Sequence, residues 1–520
     1  MKSLGIKTIT LLFFTFFHFT SYGNLSVRPI AGLSKHQEIN AAQTVHLDTS
    51  STPLAEKKQS YYYEPGSYAS KREPYPPDYV IAKKLSGKSQ VTSGFIHYGL
   101  DFRSRFEFRN NDIRQQESIN RDLPILTRSR LFFGFSEMAG ALGGAIEFQD
   151  ANSLNSQYDK TGNTRDFNRI EPIQFHVSLK FKSLLGKDKG NNPRNLAVKV
   201  GRMHFEFLDR RLISSNPWRN TTNTFRGTTI GIGNDENLWS LDVLAVQPLS
   251  RLIYHLDTVN RKVAFGGMIF HWRKWSPAIT IEPFYLRLIQ GQSPSYSTVI
   301  KNVATYGLRA YGWLMSSKLN YDFVVTKQGG DDNRQKVAAY AITAEIGYTI
   351  RSSKSKYRIS LFYGEASGDK NPSDGMNNRF DRLFGFSRPW NADDYIQMEN
   401  IKAPKVRIEA DLKSKLQIDA GYGLYWLQSS TDRLPLLFND TFKNRDKSGL
   451  SGTNVGSGFD IRARYKISDS IKINTGYSKF YTGNFIINLQ NAQNNEHSKS
   501  SDFYYLELSV NVASLLNSLK

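Results

Sequence analysis

The chain has 520 residues, 39% hydrophobic side chains and a mean hydropathy of −0.47. A membrane-crossing helix needs about 20 nearly uninterrupted apolar residues, so this composition excludes a helical membrane protein, but not a wall of strands whose side chains alternate between two environments. The formal charge of +21 points to an anionic partner such as nucleic acid, lipopolysaccharide or an acidic polymer, and the absence of cysteine excludes disulfides, metal–thiolate sites and an acylated cysteine anchor.

At the N-terminus, Lys2 and Lys7 precede the apolar run Ile9 to Phe19, and the small residues Ser21 and Gly23 follow. This is the pattern of a secretory signal peptide over 1–23, cleaved after Gly23. Export removes nucleic acid as a partner. Residues 24–93 lack periodicity and are rich in Ser, Thr, Pro and Tyr, including Tyr61-Tyr62-Tyr63 and the Pro74 to Pro77 stretch. They read as a disordered periplasmic extension, a tether rather than a docking element. No composition shift follows, so 94–520 reads as one large domain.

That domain opens with Ile96 to Arg109. Here Ile96, Tyr98, Leu100, Phe102, Phe106 and Phe108 fall on one face of a strand, and His97, Asp101, Arg103, Arg105, Glu107 and Arg109 on the other. Equivalent alternation, with Tyr and Phe on the apolar face, marks strands near 94–109, 125–136, 142–150, 172–183, 196–204, 224–233, 238–247, 263–273, 278–290, 304–314, 317–327, 337–351, 356–366, 404–413, 415–427, 457–468, 470–481 and 502–513. Long connections near 110–124, 151–171, 205–223, 367–403, 428–456 and 482–501 mostly alternate with tight ones such as Met138 to Gly140, Asn234 to Glu236, Ser316 and Ser468-Asp469. Together these predict an all-β fold, a transmembrane antiparallel up-and-down barrel of about 18 strands with long external loops, short periplasmic turns and both termini in the periplasm. A soluble propeller would need internal repeats of about 40–50 residues, and none is seen.

The strongest local pattern runs from Gly456 to Gly483: Gly458-Phe-Asp460, the turn at Ser468-Asp469, then Gly476-Tyr477, Phe480 and Gly483. With Gly201-Arg202, Asp209 to Leu212, Trp218-Arg219-Asn220 and Phe225, and with Ser367-Gly368-Asp369, Pro372 to Gly375 and Phe380-Asp381, it resembles the alginate-export family of outer-membrane porins over about residues 95–513. The resemblance implies an eighteen-stranded barrel passing an acidic polysaccharide through a basic lumen. Two departures from the family pattern are the ending Asn517 to Lys520 in place of an aromatic residue and the extension over 24–93.

Wide barrels leave an aqueous channel, and rings of Arg or Lys select anions. By alternation the lumen should carry Arg103, Arg105, Arg109, Arg128, Arg130, Arg309, Arg407, Arg462 and Arg464, the candidate substrate-binding residues, along with Lys180, Lys182, Arg358 and Lys472. Asp101, Glu107, Glu147, Glu345, Glu409, Asp411, Asp419 and Asp460 share those faces, so the plainer reading of any one arginine is an ion-paired wall residue. Arg103, Arg105, Arg128 and Arg130, two apart on adjacent strands, form the expected patch. Asp369 to Gly375 has its glycine in the wrong place for a calcium loop, so no metal or other cofactor is expected. No G-x-S-x-G or H-E-x-x-H spacing argues for an enzyme. The sequence therefore leads to a monomeric outer-membrane porin whose partners are outer-membrane lipid and lipopolysaccharide, an anionic polysaccharide or oligosaccharide such as alginate, and periplasmic secretion proteins. A broad-selectivity nutrient porin is the alternative, and a barrel enzyme a weaker one.

Overall fold

The computed structural model describes residues 60–85, 94–113, 121–157, 164–291, 300–434, 444–493 and 499–518. The expected signal peptide and the first part of the expected extension lie outside the described residues.

Eighteen antiparallel strands make a closed wall: β1 Gly94–Asn110, β2 Ile125–Met138, β3 Leu142–Leu154, β4 Asn168–Phe181, β5 Leu196–Met203, β6 Phe225–Ile232, β7 Trp239–Ser250, β8 Val263–Trp275, β9 Ile279–Gln290, β10 Lys301–Leu314, β11 Leu319–Asp332, β12 Gln335–Arg351, β13 Ser355–Ala366, β14 Ile401–Leu412, β15 Leu416–Trp426, β16 Asn454–Lys466, β17 Ile471–Thr482 and β18 Ser500–Asn511. Each pairs with its neighbour in sequence, and β18 closes onto β1 with Asn511 opposite Asp101 and Asp502 opposite Asn110. Closure pairs every edge, which lipid demands of a sheet. The barrel expected from alternation is thus the fold observed. Among the described residues two α-helices accompany the wall, α1 Asn484–Ala492 in an external loop and α2 Val512–Ser518 after β18.

Side-chain exposure follows the alternation. On β1, Phe102 and Phe106 are exposed, whereas Arg103, Arg105, Glu107 and Arg109 are buried. Exposed aromatics lie near both ends of the strands, with Trp275, Tyr348, Tyr357 and Tyr465 toward the short turns and Tyr363, Tyr481 and Tyr504 toward the long loops. This is the arrangement of the two interfacial girdles of a membrane barrel.

The lumen itself is two-layered. In the external half, inward side chains of β6, β8, β9, β13 and β17 are apolar: Phe225, Phe265, Phe284, Leu286, Phe362 and Phe480 belong to one continuous core. Two long connections fold inward to fill it, 204–224 through Phe205, Phe207, Leu208 and Ile213, and 367–400 through Phe380, Trp390, Tyr395 and Met398. Gly364 makes the seat of Trp390, since a Cβ there would sit 2.4 Å from the indole. Toward the periplasm the inward face is charged.

The expected tether over 24–93 is not what the described part of it forms. Residues 60–79 lie inside the barrel. They enter at the β6–β7 turn, where the Tyr61 amide donates to the Glu236 carbonyl at 3.2 Å, and then cross the lumen. The chain leaves as a short strand, Val80–Leu85, antiparallel to Gly94–Gly99 at the foot of β1. The physical reason is composition: a disordered tether is poor in aromatic residues, whereas this stretch carries six tyrosines, of which Tyr62, Tyr68, Tyr75 and Tyr79 find ring, cation or hydrogen-bond partners inside.

Leu361, at mid-strand on β13 and 66% exposed, tests the lipid face. Leu361→Arg should cost about 2–4 kcal/mol in equilibrium unfolding from bilayers, and an unchanged unfolding midpoint would contradict this orientation of the wall.

Candidate functional site

Beneath the external core lies a chamber of about 410 Å³, within the range of small-molecule sites. Its walls come from the N-terminal segment, β1, β2, β16, β17, β18 and the two inward loops. Ten of its side chains are basic (Lys71, Arg72, Arg103, Arg128, Arg130, Arg210, Arg388, Arg462, Arg464 and Lys472) and four are acidic (Glu73, Asp78, Asp101 and Glu507). Trp218 is an aromatic surface between the groups. The guanidinium carbons of Arg388 and Arg105 stand 3.3 and 3.8 Å from its ring centre, and Tyr505 meets it edge-on at 4.8 Å.

The arginines of β1 and β2 hold this geometry. Arg103 donates to the carbonyls of Pro217 at 3.2 Å and Arg219 at 3.0 Å, and Arg105 to the carbonyl of Trp218 at 2.8 Å. Arg130 reaches Gln149 and Thr222. Asn220, fully buried, accepts from Arg103 and donates to the carbonyls of Thr127, Asn152 and Asp166. The loop carrying Trp218 is therefore bolted to the wall through main-chain carbonyls. In the loop, burial and the neighbouring Arg165 push the Arg219 guanidinium well below its ordinary value, and burial does the same to Arg210 to a lesser degree. Asp394, 3.6 Å from Arg219, and Glu206 and Glu73 near Arg210 offset part of this.

Five of the nine arginines singled out from sequence line the chamber: Arg103, Arg128, Arg130, Arg462 and Arg464. The other four do not, for reasons visible in their partners. Arg105 lies beneath Trp218, paired with Glu107 at 2.7 Å and Glu507 at 3.3 Å. Arg109 is at the external end among Glu107, Asp122 and Asp166. Arg309 bridges Glu282 and Asp322, and Arg407 bridges Asp419 and Asp460. The expected β1–β2 patch exists as a set of neighbours, with Arg103 directly opposite Arg128, but its forks hold a loop rather than standing free. Sequence reasoning missed Lys71 and Arg72 in the presumed tether, and Trp218, Arg210 and Arg388 in presumed external loops. The Trp218-Arg219-Asn220 motif was the available signal.

A closed membrane barrel with interfacial aromatic girdles and a basic chamber in its lumen is an outer-membrane porin. A family model described as alginate export matches residues 95–499, and the chain belongs to that family. No curated protein matches it in sequence. Among solved structures it is similar to OccK11 (OpdR) of Pseudomonas aeruginosa, at 12% identity and TM-score 0.50 over 80% of this chain and 95% of that one. It is also similar to OccAB1 of Acinetobacter baumannii, at 10% identity and TM-score 0.51 over 83% of this chain and all of that one. At these identities the likeness concerns the fold alone.

Asn220→Ala should cost at least about 1–3 kcal/mol, because the carbonyls it serves are left buried and unsatisfied. The accompanying sign would be faster proteolysis within 204–224 in detergent. A variant as stable and as resistant as the parent would show that the bolts are not needed.

Proposed function

We propose that the protein conducts an anionic carbohydrate, an acidic polysaccharide such as alginate or its oligomers, across the outer membrane by diffusion. The observation that carries this reading is the chamber, where ten cationic side chains face four anionic ones around a tryptophan. Guanidinium forks suit carboxylates, which accept two parallel hydrogen bonds. The Trp218 indole, with a guanidinium against each face, keeps the Arg388 cation at the chamber wall. Repeated carboxylates along a chain can step between cations without any one site becoming a trap, as conduction requires.

Membership of the alginate-export family agrees in chemistry and adds the export direction as the expectation. The lipid partners follow from the exposed apolar band, and catalysis is not part of the reading.

Arg464 and Lys472 are the chamber cations best suited to a test. Their side chains are 34% and 51% accessible, and they hold neither inward loop, Arg464 pairing with Asp419 at 3.2 Å and Lys472 with Asp78 at 2.7 Å. In planar bilayers the parent should prefer anions, and the preference should fade as salt rises past ~0.1 M, where charges more than about 10 Å apart are screened. Arg464→Ser with Lys472→Ser should weaken both that preference and the block of ion current by an oligouronate. Cation preference in the parent at low salt would overturn the proposal.

A further inference from the structure

The charged wall that runs on from the chamber is built differently. From β9 to β16 it is a girdle of balanced pairs. Arg309 donates to Glu282 and Asp322, both at 2.9 Å, and Arg358 to Glu345 and Glu409, both at 2.6 Å. Arg407 donates to Asp419 at 2.6 Å and to Asp460 at 2.7 Å. Such a wall has little net charge to offer an anion. It offers carboxylate acceptors and guanidinium donors side by side, and that is what a hydroxyl, at once donor and acceptor, can use.

Hydroxyls of the chain itself already use it. The Ser70 hydroxyl donates to Asp322 at 2.8 Å and accepts from Arg309 at 2.6 Å, and Ser67 donates to the same carboxylate. The Tyr68 hydroxyl accepts from Arg462 at 2.8 Å, its ring lies 4.1 Å from the Arg407 guanidinium carbon, and its amide donates to Glu345 at 3.1 Å. The fit is close: a Cβ on Gly66 would come within 2.6 Å of Trp313 and Asn320. At Ser67, Tyr68 and Ser70, residues 60–79 thus meet the girdle as a ring-and-hydroxyl ligand would, through hydroxyl bonds that another hydroxyl-bearing chain could replace.

We propose that residues 60–79 are a resident competitor for the transported saccharide, and that the β9–β16 girdle they cover is a hydroxyl-binding track for sugar rings. This rests on the channel reading above and adds a division of labour. The chamber side takes the carboxylates, and the girdle side takes the neutral, hydroxyl-bearing edge of the same chain once the segment is displaced.

The test compares the full chain with a variant in which residues 60–79 are replaced by a Gly–Ser linker of equal length, both in planar bilayers. The probes are a synthetic peptide of residues 60–79 and a neutral gluco-oligosaccharide. The linker variant should conduct several-fold more current, the peptide should block it, and the neutral oligosaccharide should raise the half-blocking peptide concentration several-fold. Gly66→Val in the intact chain removes no polar contact and should raise conductance in the same direction, so a linker variant that fails to fold still leaves a decisive measurement. Unchanged conductance in the variants, or peptide block indifferent to the oligosaccharide, would overturn the proposal. Loss of anion preference in a linker variant that still shows sugar-sensitive peptide block would instead count against the chamber reading and leave the track standing.

Discussion

Everything inside this barrel depends on the apolar inner face of its external half. A water-filled lumen would carry polar side chains there. Instead Phe225, Phe265, Phe284 and Phe362 leave a surface that must be covered, and burying apolar side chains is worth about 25 cal/mol per Å² removed from water. The connections 204–224 and 367–400 cover it. Their descent brings Trp218 and Arg388 to mid-lumen, where no wall residue could place them. Only then do Arg103 and Arg105 meet the carbonyls they hold. The basic chamber is thus a product of the hydrophobic effect acting one layer above it.

The charged layer obeys a complementary rule. An enclosed arginine is costly unless paired or hydrogen-bonded, and the lumen meets that demand in two ways. From β9 to β16, carboxylates on neighbouring strands do it, and the result is near neutrality. From β1 to β2, main-chain carbonyls of an inward loop do much of it, and carbonyls carry no charge to cancel. The β1–β2 arginines thereby add to a positive excess whose other seven cations come from the N-terminal segment, the inward loops, β16 and β17.

The wall was legible in the sequence because its signal is local. Phe102 and Arg103 announce opposite faces through a period of two, and every strand expected from that period is present. The interior was not legible, because its partners are distant in the chain and aperiodic. Parity places Arg105 and Arg309 in the lumen, but nothing near them reveals Trp218 above one or Ser70 against the other. Two contrary signs were nevertheless present. Phe205, Phe207 and Leu208 are too apolar for a solvated external loop, and Tyr68, Tyr75 and Tyr79 are too aromatic for a disordered tether.

The short strand Val80–Leu85 bears on how the wall closes. It occupies the edge of β1 at Gly94–Gly99, directly below the point where Asn511 of β18 meets Asp101. The hairpin it makes with β1 links residues close in sequence, whereas the β1–β18 seam joins the two ends of the domain. Local contacts form before distant ones, since the loop-closure entropy is smaller. When β18 arrives, the lower part of its partner's edge is already taken. The incoming strand has a stop against which to settle, and a slide along β1 that would alter the stagger of the whole barrel is blocked by six residues that belong to neither closing strand.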